Sequence, residues 1–404
     1  MKKILIISNY WHFNFEREGS RYNTIIELLS SNPSFDVELV TSTFRHSVKK
    51  QRNNTQKIYK NYKYKVKLLY EPGYKKNVSL GRVYSHNVFA KNLKNYLESK
   101  QDIDLIYSFV PSLSANKVIT DYCRKNGVKH VIDVLDLWPE AFKMAVSIPI
   151  ANDILFYPMK RKADYIYSNA NVIIAVSDTY LKRAQASNKN RALGKCLYIG
   201  TDLAFFDKCK QDRIVKRNDS DIWIAYIGTM GNSYDIKVVV DAIAVLNMRG
   251  YSNIKFVLMG DGPLRHDFES YATEKHVNCD FVGSIPYDKM VGLLCASDIA
   301  VNPIAKGACQ SITNKICDYA ASGLPVINAQ PNEEYRRLID EYHAGLNCNS
   351  GDAVDMSNKI EQLLENVKLR KQLGVGNRRM AEKLFDRSVT YPIIESIVMQ
   401  ELED

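Results

Sequence analysis

The sequence predicts an α/β protein of two Rossmann-like domains, each a parallel sheet covered by helices. The chain has 404 residues, more than the roughly 250–300 that one hydrophobic core supports. Its 46% hydrophobic and 25% charged residues are typical of a globular protein. Strand-like apolar runs alternate with amphipathic stretches along the whole chain, a pattern that indicates right-handed βαβ units.

The first set of apolar runs predicts the N-terminal domain, which we place at residues 1–205. The runs are KKILIIS, FDVELVT, DLIYSFV, KHVIDVL and NVIIAVS, and they end near residue 177. The opening segment MKKILIISNYWHF has only about five apolar residues before Asn9, which is too short for the apolar region of a signal peptide. We therefore interpret it as the first strand.

The second set of runs starts near residue 221 and predicts a second domain over 206–385. It comprises DIWIAYIG, IKFVLMG, CDFVG, SDIAVNP and LPVINA. The polar stretch 207–221 is the expected connection between the two sets. The amphipathic end of the chain, 386–404, predicts a helix that packs back onto the first domain. Ligands of open α/β sheets bind outside the carboxyl ends of the strands, so we expect the chemistry in loops that follow strands.

The charge of the chain is concentrated in one region. The net charge is +10, yet residues 45–100 alone hold 15 Lys and Arg against 2 Asp and Glu. A solvated basic face and an anionic membrane surface are both compatible with this charge, and a membrane attracts each nearby basic residue by about 1 kcal/mol. No arginine-rich motif or base-stacking module accompanies it, so we expect no nucleic-acid partner. No apolar run reaches the roughly 20 residues that span a bilayer.

The metal-ligating residue types are scattered. Eight cysteines form no CxxC pair, and seven histidines have no ligand spacing, which indicates reduced thiols and no metal site. The sequence DID at 102–104 imitates a metal-binding DxD, but it precedes a strand. We expect neither a metal nor a cofactor.

The stretch SITNKICDYAASGLPVI (311–327) carries the most informative side chains. Ser311 suits a helix N-cap and Gly323 the residue just past the helix end. Lys315 would then lie at the positive end of the helix dipole, which costs roughly 0.3–1 kcal/mol. Asn314, Lys315 and Asp318 share one helix face. A surface Lys–Asp pair is one explanation; a phosphate held by Lys315 and Asn314, with Asp318 accepting from a ribose diol, is the one that we favour.

Two glycine-bearing turns after strands offer further phosphate sites. The turn TMGN (229–232), including Thr229, Gly231 and Asn232, precedes a helix predicted from about Tyr234, and Gly231 lets main-chain N–H groups approach an anion. Gly19, with Ser20 and Arg21, has the same potential in the first domain. A ligand-free tight turn is the alternative for both. The motif MGDGP lacks the third glycine of a dinucleotide fingerprint, which disfavours a nicotinamide dehydrogenase.

The motifs of the C-terminal half resemble, in order, the donor domain of retaining family 4 glycosyltransferases of the GT-B fold. They are YIGTMG, FVLMGDGPLR, FVGSIPYDKM, CASDIAVNP and NKICDYAASGLPVI. YIGTDLAFF resembles the interdomain segment, and VLDLWPEAF resembles a stretch of bacterial polysaccharide members. The resemblance implies two facing domains with a deep cleft. It also implies metal-independent transfer of a hexose, with retention, from a nucleotide-diphosphate sugar to a glycan or polyprenyl-diphosphate-linked acceptor, in capsule or O-antigen synthesis.

The resemblance assigns donor roles residue by residue. Asp318 matches the acidic residue that holds the ribose, and Ile285 matches a position whose backbone reads the base. Gln310 matches the acidic residue that contacts the donor sugar, which is a departure because an amide carries no charge. Thr229 stands where the family often has an arginine.

The resemblance leaves one cation for the donor phosphates. Tyr234 falls at about the position of a family lysine, so Lys315, with Ser311 and Asn314 beside it, is the main candidate to neutralise the leaving diphosphate. Gly19 matches the glycine that lets the first domain close over the donor. Asp136, after the KHVIDVL strand, is our candidate to orient the acceptor hydroxyl; a structural role in the DLWPE turn is the alternative.

One further stretch bears on the acceptor. Residues 144–162 are largely apolar, are broken by Pro149 and end in three consecutive basic residues. They predict either contact with a membrane interface, which would admit a lipid-linked sugar, or a packed helix pair. Together with 45–100 they favour a cytoplasmic protein that is peripheral on the inner face of the plasma membrane.

Two other functions are compatible with the two-domain architecture. A non-hydrolysing nucleotide-sugar epimerase would need carboxylates and histidines around the sugar, and the sequence shows no such cluster. A non-catalytic subunit that binds a nucleotide sugar is suggested by Gln310 and the two absent cations.

Overall fold

The chain forms two compact α/β units. The computed structural model describes residues 1–13, 19–52, 62–143, 149–189, 192–215, 217, 221–308 and 311–403. Unit 1 comprises residues 1–198 and 390–404, and unit 2 comprises residues 199–389. The chain therefore passes from one unit to the other twice.

Unit 1 is built on a seven-stranded parallel sheet. Its strand order is β5-β2-β1-β6-β7-β8-β9, and a small antiparallel hairpin, β3-β4, stands apart from it. The strands are β1 (Lys2–Ser8), β2 (Phe35–Ser42), β3 (Phe44–Arg45), β4 (Lys50–Gln51), β5 (Lys65–Leu69), β6 (Leu105–Val110), β7 (Lys129–Val134), β8 (Val172–Ala175) and β9 (Leu193–Cys196).

Helices cover both faces of this sheet. They are α1 (Arg21–Ser31), α2 (Leu80–Glu98), α3 (Leu113–Asn126), α4 (Glu140–Lys143), α5 (Pro149–Ser168), α6 (Asp178–Gln185) and, from the end of the chain, α16 (Pro392–Glu403). Ile4 and Ile6 of β1 pack with α1 and α16, while Leu5 and Ile7 pack with α2 and α3. Alternate residues of one strand thus enter two cores, as expected of a buried parallel strand.

Unit 2 repeats the architecture with a six-stranded parallel sheet in the order β12-β11-β10-β13-β14-β15. Its strands are β10 (Ile222–Ile227), β11 (Ile254–Met259), β12 (Cys279–Gly283), β13 (Ile299–Asn302), β14 (Val326–Asn328) and β15 (Gly345–Asn347). Its helices are α7 (Leu203–Asp212), α8 (Ile236–Met248), α9 (Arg265–Glu274), α10 (Tyr287–Ala296), α11 (Asn314–Ser322), α12 (Glu333–Tyr342), α13 (Ala353–Glu365), α14 (Val367–Met380), a π-helix (Ala381–Phe385) and α15 (Arg387–Thr390).

The predicted α/β class with two parallel sheets is confirmed, and each of the ten strand-like runs forms a strand. The strands that the sequence did not predict are β5, β9, β15 and the β3-β4 hairpin. β5, β9 and β15 lie at sheet edges, where one side of a strand faces solvent. In β5 (KVKLL) exposed lysines therefore alternate with less exposed residues, and no continuous apolar run forms.

A buried ion pair joins distant segments of unit 1. The Arg21 guanidinium donates from Nε to Asp133 Oδ2 at 3.0 Å and from Nη2 to Asp133 Oδ1 at 3.1 Å, and Arg21 is 3% exposed. Its Nη1 donates to the carbonyl oxygens of Leu197 and Tyr198 and to the Tyr391 hydroxyl. Arg21 of α1 thus links β7 with Leu197, Tyr198 and Tyr391. These three residues lie next to the two points at which the chain passes between unit 1 and unit 2. These hydrogen bonds direct Nε, Nη1 and one N–H of Nη2 to partners within unit 1.

We expect Arg21→Met to destabilise the protein by about 3–5 kcal/mol, because it leaves the Asp133 carboxylate buried without its partner. Lys65→Met is the matched control, since the Lys65–Asp36 pair has a similar length of 3.1 Å but is exposed; its loss costs about 0–1 kcal/mol. Equilibrium urea unfolding measures both changes. Equal losses in the two variants would contradict the role assigned to Arg21.

Candidate functional site

A pocket of about 310 Å³ lies at the carboxyl end of the unit 2 sheet. It is lined by the loops that follow β10, β11 and β12 and by the first turns of α11. The predicted site residues Thr229, Ile285, Asn314, Lys315 and Asp318 all contribute to it. The pocket therefore lies in loops that follow strands, which is where the sequence analysis expects a ligand site.

Glycines set the shape of the pocket because two of its loops touch through their main chains. A Cβ on Gly260 would lie 1.9 Å from the carbonyl oxygen of Gly228, and one on Gly262 would lie 2.3 Å from that of Met230. The φ angles of Gly228 and Gly260 are +129° and +146°, values that side chains disfavour. The motif MGDGP therefore serves close packing against the TMG turn.

The helix α11 begins at Asn314 with Thr313 as its N-cap residue, so the prediction that Ser311 caps the helix is wrong. Ser311 is buried, and its hydroxyl donates to Glu334 Oε2 at 2.8 Å while its carbonyl accepts from Gln330 Nε2 at 2.8 Å. These bonds hold Ser311 in the loop before the helix. Gly323 follows the last turn with φ of +72°, as predicted for the residue past a helix end.

Lys315 places a buried ammonium beside the pocket. The residue is 7% exposed, and Nζ lies 4.4 Å from the ring centroid of Tyr226 and 3.5 Å from that of Tyr234. Nζ also donates to the Tyr226 hydroxyl at 3.3 Å. A Cβ on Gly228 would lie 3.1 Å from Nζ, so any larger residue there would crowd the ammonium.

The electrostatics of Lys315 are unusual for a buried lysine. Nζ forms no ion pair with a carboxylate within the parts of the chain that the structure describes. Burial lowers the pKa of the ammonium well below its ordinary value. The charge also lies in the first turn of α11, where the helix dipole is positive. An anion in the pocket would relieve both penalties.

Asp318, one turn further along α11, offers a half-buried carboxylate to the same pocket. Oδ1 accepts from the Tyr287 hydroxyl at 2.8 Å, and that hydroxyl also lies 3.4 Å from Thr201 Oγ1. The Tyr287 ring stacks on Phe205 with a centroid separation of 5.9 Å. Tyr287 thus orients the carboxylate, a role that the sequence analysis missed although the residue stands in the FVGSIPYDKM motif.

The remaining predicted residues of unit 2 are placed as follows. Thr229 is exposed at the pocket, and its carbonyl accepts from the Tyr226 hydroxyl at 2.7 Å. Gly231 and Asn232 continue the turn without lining the pocket, and Gly231 accepts from the Tyr234 N–H at 2.9 Å. Ile285 contributes to the wall with Met290. Gln310 lies outside the described residues.

Gly19 lies in unit 1, directly before α1. Its φ is +66°, it is exposed, and a Cβ there would meet no atom within 4 Å. The next residue, Ser20, caps α1 by accepting from the Asn23 N–H at 3.2 Å. The left-handed backbone explains a glycine at this position without a ligand.

Asp136 follows β7 in unit 1 and belongs to a cluster that the sequence did not reveal. Burial raises the pKa of its carboxyl to about 6, although hydrogen bonds from Trp138 and the Leu137 main chain and the charge of Arg82 act in the opposite direction. Asp136 Oδ2 accepts from Trp138 Nε1 at 3.1 Å. The Arg82 guanidinium stacks 4.4 Å above the Trp138 ring.

The same cluster includes Tyr10, which follows β1, and Arg82 and His86, which belong to α2. Arg82 donates to the Tyr10 hydroxyl at 3.1 Å, and burial raises the pKa of Tyr10 to about 12. His86 stacks parallel to Trp138 at 5.9 Å, and burial lowers its pKa to about 3, so it is neutral at physiological pH. The residues of this cluster come from separate segments of the chain, so no spacing pattern in the sequence predicts that they lie together.

Residues 207–380 match the family described as "Glycosyl transferases group 1". A Campylobacter jejuni protein, GalNAc-alpha-(1->4)-GalNAc-alpha-(1->3)-diNAcBac-PP-undecaprenol alpha-1,4-N-acetyl-D-galactosaminyltransferase, is 23% identical over 233 residues. That similarity covers 56% of this chain and 59% of the relative, so it spans little more than half of that protein.

Two solved structures share the fold over nearly the whole chain. Sucrose-phosphate synthase from Thermosynechococcus elongatus has a TM-score of 0.73 at 16% identity and covers 99% of both chains. HepE from Anabaena in complex with UDP has a TM-score of 0.68 at 16% identity and covers 99% of this chain and 100% of its own. The recognition of a GT-B glycosyltransferase from the motifs is confirmed by the match of residues 207–380 to the group 1 glycosyltransferases and by the shared fold of these two structures.

Proposed function

We propose that the protein is a retaining glycosyltransferase that moves a hexose from a nucleotide-diphosphate sugar to a glycan or lipid-linked sugar acceptor in cell-surface polysaccharide synthesis. The observation that carries the proposal is the Lys315 ammonium, which is buried beside the unit 2 pocket without a described carboxylate partner. A diphosphate supplies the negative charge that this group lacks. Asp318 then accepts from the ribose diol, as acidic residues do in nucleotide sites.

The proposed reaction breaks the bond between the anomeric carbon and the β-phosphate oxygen, and the electron pair leaves with the phosphate. Lys315 and the main chain at Thr229, both of which line the pocket, stabilise the developing charge, which is usually the largest catalytic term. The acceptor hydroxyl attacks the same face of the sugar, and its proton passes to the leaving phosphate. In this scheme no protein base is obligatory.

The comparisons favour the same class of substrates. The structure of HepE contains UDP, and the name of the Campylobacter relative describes a sugar acceptor linked to PP-undecaprenol. We therefore place a nucleotide sugar in the unit 2 pocket and a lipid-linked glycan among the acceptors to be tested. The roles that the family resemblance assigns to Gln310, towards the donor sugar, and to Gly19, towards the donor phosphates, remain part of this proposal.

A donor screen followed by turnover tests the function. Thermal shift with UDP-, GDP-, ADP-, CDP- and dTDP-sugars identifies the donor, because a ligand that binds the native state raises its stability. Nucleoside diphosphate release is then followed with lipid-linked and free glycan acceptors, and NMR of the product reports the anomeric configuration. Release that requires an acceptor supports transfer. Solvent proton exchange at the sugar without an acceptor would instead indicate an epimerase, and donor binding without turnover would indicate a non-catalytic subunit.

We expect Lys315→Ala to lower kcat/KM by at least about tenfold, equivalent to about 1.4 kcal/mol of transition-state stabilisation, because the leaving diphosphate loses its cation. Steady-state nucleotide release measures the effect. Lys368→Ala, on an exposed position of α14 in the same unit, is the control and should retain wild-type kinetics. Near-normal kcat/KM in Lys315→Ala would contradict the proposal.

We also propose that the Asp136 carboxylate orients the acceptor hydroxyl. Since the pKa of Asp136 is raised to about 6, the carboxylate form is reached only above that pH. We expect kcat/KM of the wild-type protein to rise with pH through about 6. The Asp136→Asn variant should have a lower kcat/KM and should lack this rise, the acidic limb of the pH profile. Asp121→Asn, which removes an exposed carboxylate of unit 1, is the control. An unchanged limb in Asp136→Asn would show that another group titrates.

Unit 1 has a surface that suits an anionic membrane. Val78, Leu80, Val83 and Tyr84, at the start of α2, are each more than half exposed, and the exposed Lys75 and Lys76 precede them. Exposed apolar residues beside basic ones are typical of interfacial segments.

Residues 144–162 supply a second exposed apolar group. Ile154, Leu155 and Tyr157 of α5 are exposed and precede Lys160, Arg161 and Lys162, while residues 144–148 lie outside the described part of the chain. No helix in the described ranges is both long and apolar enough to span a bilayer. We propose that these two segments attach the protein to the inner face of the plasma membrane.

We expect the protein to sediment with vesicles of phosphatidylcholine and phosphatidylglycerol but not with phosphatidylcholine alone, and salt to weaken this binding. The double change Leu80→Ser with Val83→Ser should reduce binding about tenfold, since about 1.4 kcal/mol of apolar contact is lost. Val375→Ser with Val389→Ser, at exposed valines of unit 2, is the control. Equal binding by both double variants would contradict the assigned surface.

A further inference from the structure

Two tyrosine rings form a cage around the Lys315 ammonium. Nζ lies 3.5 Å from the ring centroid of Tyr234 and 4.4 Å from that of Tyr226, and the two rings meet edge to face with centroids 5.9 Å apart. Cation–π contacts of this kind are worth most where water is excluded, and Lys315 is 7% exposed.

Both tyrosines are tied by hydrogen bonds to the turn that follows β10. Tyr226 belongs to β10, and its hydroxyl donates to the Thr229 carbonyl at 2.7 Å. The Tyr234 N–H donates to the Gly231 carbonyl at 2.9 Å, and Tyr234 pairs in a β-bridge with Ile304. The position of the ammonium is therefore tied to the backbone that would contact an anion.

The acidic groups that line the pocket do not neutralise the Lys315 ammonium. The acidic residues that line the pocket are Asp261 and Asp318, and neither forms an ion pair with Nζ. Burial raises the pKa values of the Tyr226, Tyr234 and Tyr319 hydroxyls, so these phenols stay neutral. A carboxylate in place of the rings would neutralise the ammonium and repel an incoming diphosphate. Ring faces stabilise the cation and add no formal charge.

We propose that Tyr226 and Tyr234 are positioning residues that hold the Lys315 ammonium, without neutralising it, for the diphosphate of the donor. This inference rests on the proposed function and deepens it. Tyr234 stands where the family resemblance led us to expect a lysine. In this chain Tyr234 contacts the ammonium of Lys315 and does not supply a second positive charge.

The test compares binding of UDP with binding of uridine by calorimetry, or the matching pair for whichever base the donor screen selects. The variants are Tyr234→Leu, Tyr234→Phe and Tyr226→Phe. Tyr271→Leu is the matched control, because the Tyr271 ring also contacts lysines, Lys237 at 4.8 Å and Lys275 at 5.4 Å, but neither of these lysines lines the pocket.

We expect Tyr234→Leu to weaken UDP binding about tenfold and to leave uridine binding unchanged. Tyr234→Phe keeps the ring and should retain nearly wild-type affinity, and so should Tyr271→Leu. Tyr226→Phe loses a hydrogen bond but keeps its ring, and we expect a smaller loss than in Tyr234→Leu. The kcat of Tyr234→Leu should fall together with UDP affinity.

Two results would overturn the inference. Equal weakening of UDP and uridine in Tyr234→Leu would show that the ring only supports the fold, and unchanged UDP binding would show that it has no role. Failure of the proposed function is distinguishable, because the wild-type protein itself would then bind no nucleoside diphosphate.

Discussion

The proposed donor site depends on one buried ammonium group that no described carboxylate neutralises. A charge removed from water is costly unless it is paired or finds equivalent contacts. Lys315 finds a phenol oxygen and two aromatic rings, which compensate only part of that cost. The pocket beside it therefore favours an anion, and the carboxylate of Asp318 in the same pocket adds an acceptor for hydroxyl groups.

A second buried cation shows the contrast between a structural and a functional role. Arg21 donates to both carboxylate oxygens of Asp133 and to three further oxygens, and it is as deeply buried as Lys315. Its hydrogen-bonding capacity is used within unit 1, so it stabilises the fold. Lys315 is stabilised without being neutralised. Both residues lie near helix starts that follow glycine-bearing loops, and only their partners separate the two roles.

The sequence predicted ten strands, including the edge strand β12, and the α11 residues that line the pocket, because these features depend on local patterns. Continuous apolar runs mark strands that are buried on both faces, and the NK dipeptide at a helix start marks Lys315. The edge strands β5, β9 and β15 escaped prediction because solvent on one side removes the apolar run. The cage of Tyr226 and Tyr234 and the contacts of Asp136 depend on residues far apart in sequence. Ser311 was misplaced as a cap because its bond to Glu334 comes from another helix.

A crystal structure of the protein with a bound nucleoside diphosphate is the decisive test of the role of Lys315. We expect a β-phosphate oxygen within about 3 Å of Lys315 Nζ, with the two tyrosine rings still in contact with the ammonium and the ribose hydroxyls at Asp318. A diphosphate bound elsewhere in the chain, with Lys315 unchanged between its two rings, would contradict it.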